Sequence, residues 1–408
     1  MEIKFPPLQP WQQDAFDGVK EGEYDIYVVK SRRQTGKSIL AITILLYFSF
    51  KTDRAISVCI EPTLAQSRRV FKQIVSACGG ETSKIIKSAN ATLLSLEFVN
   101  GSEIVFKSAE QEEALRGMTA KRGILVIDEA AFIKQDIFEI VYPVVDANKC
   151  PVLLISTPLF MSGEFYEKYT QGTTEGGIVK SYDWSSYDTS IFLSRDKLDY
   201  YRKTVSPLKF KSEYLGEFIA EGSYVFGDIM KSATGYSTEE PVYGGIDWAT
   251  GSEEGDYSVL TLMDKYGAVT EVKSFSNITP TEQIEKISHI LNNRPSLKCV
   301  QVEMNSIGKV YYDMLRKEVK VDLKRFQTTN DSKRRIIEQL ITAFENSKVQ
   351  VPNEPELIRE LQHYNVEKTS KGYTYNGADG VHDDYVMSLA FAYDLYIKGG
   401  YSFSISFV

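Results

Sequence analysis

Short apolar runs alternate with longer amphipathic stretches through the first half of the chain. The runs are DIYVV, AISVCI, SLEFV, SEIVFKSA, GILVIDEA and VLLIST, and helical patterns such as QSRRVFKQIVSAC lie between them. Apolar strands separated by helices are typical of a parallel sheet that is covered on both faces. The first half therefore predicts an α/β domain with a parallel sheet.

The second half begins again with strands. VYGGIDWA, YSVLTLMD and AVTEVKSFS follow one another, and then a helix at 281–292, the buried strand KCVQVEM, a further helix and the strand VDLKRF. Meandering strands followed by alternating helices and strands predict a mixed sheet with helices on its faces. The stretch between the halves is helical and aromatic and ends in turn residues. We therefore predict domains at 1–188 and 239–408, with 189–238 as a helical subdomain or linker.

Composition restricts the function further. The 408 residues include 47 Lys and Arg against 55 Asp and Glu, so the formal net charge is −8. This balance excludes a protein that coats nucleic acid through overall positive charge, although local basic patches remain open. The cysteines are scattered, which indicates reduced thiols in a cytosolic protein. No run approaches the roughly 20 apolar residues that a bilayer span needs.

The octapeptide SRRQTGKS follows the first strand and precedes a helix, as a phosphate-binding loop does. In such loops backbone N–H groups and a lysine hold the phosphates, and the hydroxyl after the lysine binds Mg²⁺. Gly36, Lys37 and Ser38 supply the second half of G-x-x-x-x-G-K-[ST], whereas Ser31 occupies the position of the first glycine. The predicted nucleotide-binding residues are Ser31, Arg32, Arg33, Gln34, Thr35, Gly36, Lys37 and Ser38.

Two further strand ends favour nucleotide hydrolysis. GILVIDEAAF ends its apolar run in Asp128 and Glu129, the arrangement of a Walker B motif, with one carboxylate on Mg²⁺ and the next as base for the attacking water. The alternative is a helix N-cap followed by a first-turn glutamate. VLLISTP ends in Ser156 and Thr157, which would face the nucleotide at the open edge of a parallel sheet, or would simply end a strand.

Arginines near these motifs could stabilise charge that develops on the γ-phosphate. Arg33 lies inside the loop and would act within its own subunit, whereas the alternative is that Arg32 and Arg33 are solvated or paired with surface carboxylates. Arg116, in ALRGMTAKRG, could reach the nucleotide of a neighbouring subunit or could have a surface role.

The sequence R-Q-x-G-K-[ST] without a leading glycine, followed by LRG, VIDEAAF and STP, resembles the large terminase subunits of tailed bacteriophages, the ATPases that drive DNA into procapsids. The resemblance implies a RecA-like (ASCE) P-loop ATPase domain. LQPWQ near the N-terminus is similar to the adenine-recognising segment of that family, with Gln12 at the matching position. The alternative for Gln12 is an exposed residue at the start of a helix.

The resemblance also implies an RNase H-like nuclease in the second half. Two-metal phosphodiester cleavage needs carboxylates from separate elements that converge on divalent ions. Asp247 lies in the first strand of the second half, and Glu303 lies near the end of the strand KCVQVEM. Asp383 and Asp384 begin the last helix. Each acid alone also fits a turn, an exposed position or a helix dipole, but the order matches the RNase H-like arrangement.

The match to the family's nuclease motifs covers further residues. DWATGSEEGDYSVL adds Asp256 as a further metal ligand by resemblance. In HDDYVMSLAFAY we prefer Asp384 as the ligand, with Asp383 next and His382 last. The nuclease metal is expected to be Mg²⁺ or Mn²⁺, whereas the ATPase site would use ATP with Mg²⁺.

The resemblance implies a viral packaging motor that translocates double-stranded DNA and cuts concatemers. Its implied partners are the DNA, the portal protein of the procapsid and a small terminase subunit. It would form a ring of copies on the portal, with a monomer in solution left open, and act in the host cytoplasm. The alternatives are a helicase-nuclease of repair or defence, and a portal-docking scaffold with vestigial activities.

DNA contact is expected at local basic clusters, because phosphate binding needs only a few lysines and arginines. The clusters are Lys84 with Lys87, Lys121 with Arg122, and Lys333–Arg335, and each could equally be a solvated surface. The C-terminal tail YIKGGYSFSISFV could contact the portal or form a free or edge-strand terminus.

Overall fold

The computed structural model divides the chain into two compact units. It describes residues 7–80, 83–174, 177–185, 193–227, 229–249, 257–305, 307–369, 372–378 and 380–399. The first unit runs to Tyr200 and also contains Leu208–Glu221, and the second contains Tyr201–Pro207 and almost all of the chain after Gly222. The predicted domain boundaries stay a prediction.

The first unit is built on an eight-stranded sheet with the order β3-β4-β5-β2-β6-β7-β1-β8. Its strands are β1 (Ile26–Lys30), β2 (Ile56–Glu61), β3 (Ile86–Asn90), β4 (Ser95–Phe98), β5 (Glu103–Ser108), β6 (Arg122–Asp128), β7 (Val152–Ser156) and β8 (Val179–Asp183). Its helices are α1 (Pro10–Glu21), α2 (Lys37–Lys51), α3 (Leu64–Ala77), α4 (Glu112–Arg116), α5 (Gln135–Ala147) and α6 (Glu164–Gly172). The division between the units passes through α7 (Arg195–Thr204) and α8 (Pro207–Lys209), after which a π-helical turn spans Phe210–Leu215.

Both faces of this sheet are covered, because successive residues of β1 point into different cores. Tyr27 and Val29 pack in one cluster with Leu40 of α2, whereas Val28 packs in the other with Phe138 of α5. Six strands, from β5 to β8 across the sheet, run parallel, whereas β3 and β4 extend it in antiparallel fashion. The predicted parallel sheet is therefore confirmed in its central part.

The second unit contains a five-stranded mixed sheet with the order β11-β10-β9-β12-β13 and a two-stranded sheet, β14-β15. The strands are β9 (Tyr243–Asp247), β10 (Ser258–Met263), β11 (Val269–Phe275), β12 (Cys299–Glu303), β13 (Asp322–Phe326), β14 (Tyr364–Thr369) and β15 (Gly372–Gly377). The helices are α9 (Pro280–Asn292), α10 (Gly308–Glu318), α11 (Asn330–Glu345), α12 (Pro355–Gln362) and α13 (Asp384–Ile397).

The mixed sheet is also covered on both faces. Ile246 packs with Ile287 of α9 and Tyr311 of α10. The opposite face of β9 carries Gly245, where a Cβ atom would overlap the backbone of Ser388 and Ala392 in α13. Glycine thus allows the last helix to lie directly on the first strand, which brings the helix start close to the end of that strand.

The fold class predicted for both halves is confirmed, with several elements added. The sequence patterns did not identify β3, β8 or the β14-β15 pair. All four cysteines are buried and free, in agreement with the predicted reduced state. Among the described helices, none combines the length and the apolar character required to cross a lipid bilayer.

Candidate functional site: two acid clusters

The loop between β1 and α2 has the backbone geometry of a phosphate-binding loop. Gly36 adopts φ 84° and is the N-cap of α2, so that Lys37 is the first helical residue. A side chain at position 36 would be strained by this positive φ and would collide with the amide of Gln12. Helix α2 therefore begins directly at the loop, where the N–H groups of a helix N-terminus can bind an anion.

Ser31 occupies the position of the missing glycine and forms hydrogen bonds within the loop. Its hydroxyl lies 2.8 Å from the hydroxyl of Thr35 and donates to the carbonyl of Arg32 at 2.9 Å. Its backbone N–H donates to the carbonyl of Ser156 on β7 at 3.1 Å. Ser31 and Thr35 are fully buried, so this network replaces the conformational role of a glycine with hydrogen bonds.

Helix α1 holds the other side of the loop. The Gln12 amide donates to the carbonyls of Thr35 and Gly36 at 3.3 and 3.0 Å, and the Trp11 indole donates to Thr35 at 3.1 Å. The Gln12 side-chain oxygen accepts from the backbone of Gln9 at 2.7 Å. Gln12 is only 1% exposed, so the alternative of an exposed helix-start residue is wrong. Its predicted contact with adenine stays a prediction.

Arg33 carries a carboxylate partner from the same unit. Its Nε lies 3.1 Å from Glu213 Oε2, and its backbone N–H donates to the Glu213 carbonyl at 2.7 Å. The Arg33 side chain is 55% exposed. Arg116 forms an exposed pair with Glu112 at 2.9 Å, one helical turn away. A role of either arginine at a γ-phosphate stays a prediction.

Asp128 and Glu129 lie beside the loop lysine. Asp128, at the end of β6, is 5% exposed, and burial together with Glu129 raises the pKa of its carboxyl to about 6 despite the opposing charge of Lys37. Glu129 Oε1 lies 3.8 Å from Lys37 Nζ, and Ser156 donates to the other oxygen at 3.4 Å. Glu129 adopts φ 50°, which turns the chain sharply after the strand. The loop, the Walker B strand and β7 are thus brought together as predicted.

Glu61 is a third acid at this site that the sequence reasoning missed. It ends β2, which runs parallel to β6 with Ile60 opposite Ile127, so Glu61 neighbours Asp128 across the sheet. Burial and the charges of Asp128 and Glu129 raise the pKa of the Glu61 carboxyl to about 9, and its Oε1 has no hydrogen-bond partner among the described residues. An acid at the end of an apolar strand, as in ISVCIE, was the available signal.

The second cluster lies where β9, β12 and α13 meet. Val302 on β12 is opposite Ile246 on β9, so the two parallel strands end side by side in Glu303 and Asp247. Asp247 is 7% exposed. Burial, the charges of Glu303, Asp384 and Asp383, and a hydrogen bond with Glu303 raise the pKa of the Asp247 carboxyl well above its usual value.

The acids at the start of α13 have different partners. Asp384, which is 8% exposed, accepts from the backbone N–H of Tyr257 at 2.9 Å. Asp383 Oδ2 accepts from Lys333 Nζ at 2.8 Å and from the Tyr364 hydroxyl at 3.1 Å. His382 is half-buried. Asp256 lies outside the described residues, as does the predicted C-terminal tail from residue 400 onward.

Glu360 on α12 is a further acid that the sequence reasoning missed. Its Oε2 accepts from the backbone N–H groups of Tyr385 and Val386 at 2.8 and 3.0 Å, and it is 4% exposed. Burial, together with Asp384 and Asp383, raises its pKa to about 9 although these two hydrogen bonds oppose the shift. Glu360 therefore fixes the first turn of the helix that carries Asp384.

The donor set of the second cluster suits a hard divalent cation, since carboxylates are the preferred ligands of Mg²⁺ and Mn²⁺. Within the described ranges, however, no three Asp, Glu, His or Cys side chains converge as a preassembled metal site. Asp383 and Asp384 accept hydrogen bonds from protein donors instead.

The predicted basic clusters are largely paired within the described chain. Lys87 pairs with Glu97 at 2.6 Å on an exposed surface. In the third cluster Lys333 pairs with Asp383, Arg334 with Asp331 and Arg335 with Asp394, at 2.8, 2.8 and 2.6 Å. The third cluster therefore does not form an unpaired basic patch, and DNA contact by any of the clusters stays a prediction.

Comparisons with known proteins assign both halves to one kind of protein. Residues 30–230 match the family described as terminase large subunit, T4likevirus-type, N-terminal, and residues 244–395 match the terminase RNaseH-like domain. The large terminase subunit of Thermus phage G20c is 25% identical over 92% of this chain and 85% of its own length. That of Thermus virus P23-45 is 24% identical over the same shares. A solved large terminase from a thermophilic bacteriophage shares the fold, with a TM-score of 0.64, 13% identity, and coverage of 96% of this chain and 99% of its own.

Proposed function

The chain belongs to the large terminase subunits of phages, and from this premise we propose that it couples ATP hydrolysis to translocation of double-stranded DNA and cuts that DNA with its second site. The observation that carries the proposal is the presence of two separate acid clusters, one beside a phosphate-binding loop and one at the RNase H-like sheet. A helicase-nuclease would not account for both family matches, whereas activity assays separate the proposal from an inactive scaffold.

At the first site, the loop N–H groups and Lys37 bind the triphosphate, and Ser38 with Asp128 would hold Mg²⁺. When bound, Mg²⁺ neutralises charge on the β- and γ-phosphates. Glu129 orients the attacking water and accepts its proton, with Ser156 fixing the carboxylate through the 3.4 Å hydrogen bond. Arg33 would release Glu213 to stabilise the γ-phosphate. The thermophilic bacteriophage terminase of the same fold has been solved with ADP and with ATP-γ-S, which supports nucleotide binding by this chain.

At the second site, Asp247, Glu303 and Asp384 would hold divalent ions, with Asp383 as the second acid of the helix start and Asp256 as a further ligand. Bound Mg²⁺ or Mn²⁺ would activate water and stabilise the leaving oxygen. The protein contributes the alignment: two neighbouring strand ends and a helix start that Glu360 fixes. The product would be DNA cut from a concatemer.

The wider assembly follows from the family. We propose that the subunit acts in the host cytoplasm as a ring on the portal of a procapsid, together with a small terminase subunit. We further propose an ATPase domain at 1–188, a helical subdomain at 189–238 and a nuclease domain at 239–408. Gln12 would contact adenine from the position where it already supports the loop.

The test is a pair of variants measured in two assays. Lys37→Ala should abolish ATP hydrolysis and leave plasmid cleavage in the presence of Mn²⁺ or Mg²⁺ intact. Asp247→Ala should abolish plasmid cleavage and leave ATP hydrolysis intact. Lys317→Ala, an exposed lysine, serves as the control and should keep both activities. If the wild type cuts no DNA with either metal, the nuclease proposal fails. If it hydrolyses no ATP with DNA present, the inactive scaffold becomes the better explanation.

A further inference from the structure

Asp383 and Asp384 are neighbours in sequence, yet their surroundings differ. Asp384 is buried, lies in the first turn of α13 and accepts a backbone N–H from Tyr257. Asp383 is half-buried and receives a lysine and a tyrosine hydroxyl on one oxygen. The lysine thus places a full positive charge directly beside Asp383.

Lys333 is held in this position from two sides. Its Nζ donates to Asp383 at 2.8 Å and to Asn376 Oδ1 on β15 at 2.9 Å, and only 16% of its side chain is exposed. An ion pair with this little solvent contact is screened far less than a surface pair. The pair is therefore a stable part of the acid cluster.

The position of Lys333 within its helix adds a second argument. Thr329 is the N-cap of α11, so Lys333 lies in the first turns of that helix, where the macrodipole disfavours a cation. The helix itself gains nothing from a lysine there. Asp383, across from it, does gain from the positive charge.

We propose that Lys333 is a built-in counter-ion of the nuclease site, which pairs with Asp383 and leaves Asp247, Glu303 and Asp384 as the metal ligands. Lys333 is thus a positioning residue that acts through Asp383 and sets how tightly the cluster binds a divalent ion. This inference rests on the proposed nuclease function and specifies which of its acids bind metal.

If Lys333 and Asp383 pair in this way, substituting one or the other should change the Mn²⁺ affinity in opposite directions. Lys333→Met leaves an additional uncompensated carboxylate beside the cluster, so Mn²⁺ should bind about ten-fold more tightly. Asp383→Asn leaves the lysine charge uncompensated, so Mn²⁺ should bind about ten-fold more weakly. The double variant removes the pair as a neutral unit and should return to within about three-fold of the wild type.

The experiment is calorimetric titration of the full chain with Mn²⁺, in an Asp128→Asn background that removes the metal ligand of the first site. The Mn²⁺ concentration for half-maximal plasmid cleavage is measured in parallel on the single variants. Lys317→Met changes the net charge equally on an exposed surface and should leave the Mn²⁺ affinity unchanged. General damage to the fold would weaken binding in every variant and could not tighten it in Lys333→Met.

Two results would overturn the inference. A double variant that binds Mn²⁺ as weakly as Asp383→Asn would make Asp383 a metal ligand, and a Lys333→Met variant that binds no tighter than wild type would remove the counter-ion role. Asp247→Asn separates this failure from that of the proposed function. If wild type and Asp247→Asn bind Mn²⁺ equally and neither cuts DNA, the nuclease assignment itself is wrong.

Discussion

The two acid clusters are assembled in different ways. In the proposed ATPase cluster Asp128 and Glu129 are consecutive, and the lysine that faces them, Lys37, opens the helix of a short loop motif. In the proposed nuclease cluster the acids Asp247, Glu303 and Asp384 come from two strands and a helix, and the lysine comes from a further helix, α11. The first cluster therefore depends on local backbone geometry, whereas the second depends on how the whole sheet and its last helix pack.

The largest effect is expected in the ATPase cluster, which depends on local backbone geometry and is the local cluster of the two. Glu129→Gln keeps the shape of the side chain but removes the proton acceptor, so ATP hydrolysis should fall at least about 100-fold. Nucleotide binding and DNA cleavage should persist, which phosphate release, nucleotide titration and plasmid nicking would measure.

Glu139→Gln, an exposed glutamate on α5, is the matched control and should hydrolyse ATP at the wild-type rate. A Glu129→Gln variant that keeps more than a tenth of the activity would transfer the role of base to another acid of the cluster. Asp128 would then be the residue to test next, because the Glu61 carboxyl, with its pKa raised to about 9, is protonated at neutral pH and cannot accept a proton.

The nuclease cluster, which depends on packing, is disrupted most directly by a substitution at Gly245. A methyl group there would overlap backbone atoms of Ser388 and Ala392, so Gly245→Ala should push α13 away from β9 and displace Asp384 from Asp247. We expect a loss of about 3 kcal/mol in the stability of the second unit, at the upper end for overpacking. Cleavage should be lost and ATP hydrolysis retained, with stability followed by hydrogen exchange in peptides of that unit.

Gly244→Ala gives the comparison on the same strand. Its Cβ would meet side-chain atoms of Leu262 and Val300 at 3.0 and 3.1 Å, and these can move. Equal losses in the two variants would contradict a specific role for the contact between β9 and α13.

A smaller effect concerns the protonation of Glu61. The raised pKa keeps this carboxyl protonated in the folded protein up to about pH 9, whereas the usual value is 4.5. Between these values the unfolded chain releases the proton and the folded chain keeps it, so folding stability falls as pH rises. Glu61→Gln removes this penalty and should stabilise the protein by about 3 kcal/mol at pH 7, and not at all well below pH 4.5.

Urea unfolding with EDTA and without nucleotide, followed across this pH range, would measure the difference. The Glu139→Gln control should show no pH-dependent gain. A constant difference at all pH values would mean that Glu61 is ionised in the folded state, and the ATPase cluster would then carry more charge than its burial suggests.

Sequence patterns predicted the local cluster almost completely and the distant one only in part. GKS and VIDEAAF each contain their chemistry within a few residues, and the apolar strands around them fix the sheet. The partners from other elements were not predicted, because Lys333 belongs to a basic run in the sequence and Glu360 belongs to no motif. Their roles arise only when α11 and α12 pack beside α13, which no single-segment pattern encodes.

The smallest expected effect returns to the unusual loop. Ser31→Gly restores the usual first glycine but removes the 2.8 Å contact between the Ser31 and Thr35 hydroxyls and the bond to the Arg32 carbonyl. A buried hydrogen bond contributes about 1 kcal/mol, so ATP affinity should weaken about five-fold while the hydrolysis rate at saturating ATP stays within about two-fold.

Thr35→Val breaks the same contact from the other side and removes a hydroxyl whose single proton is donated either to Ser31 or to the Arg32 carbonyl, 3.1 Å away. Because both variants remove one shared interaction, the double variant should weaken ATP binding by clearly less than the sum of the two single losses. Fluorescent-nucleotide titration of the four proteins measures this coupling. Strictly additive losses would mean that the two hydroxyls act independently of each other. No loss in any of the variants would mean that α1 holds the loop, through Trp11 and Gln12, and that the local cluster too depends on a distant element.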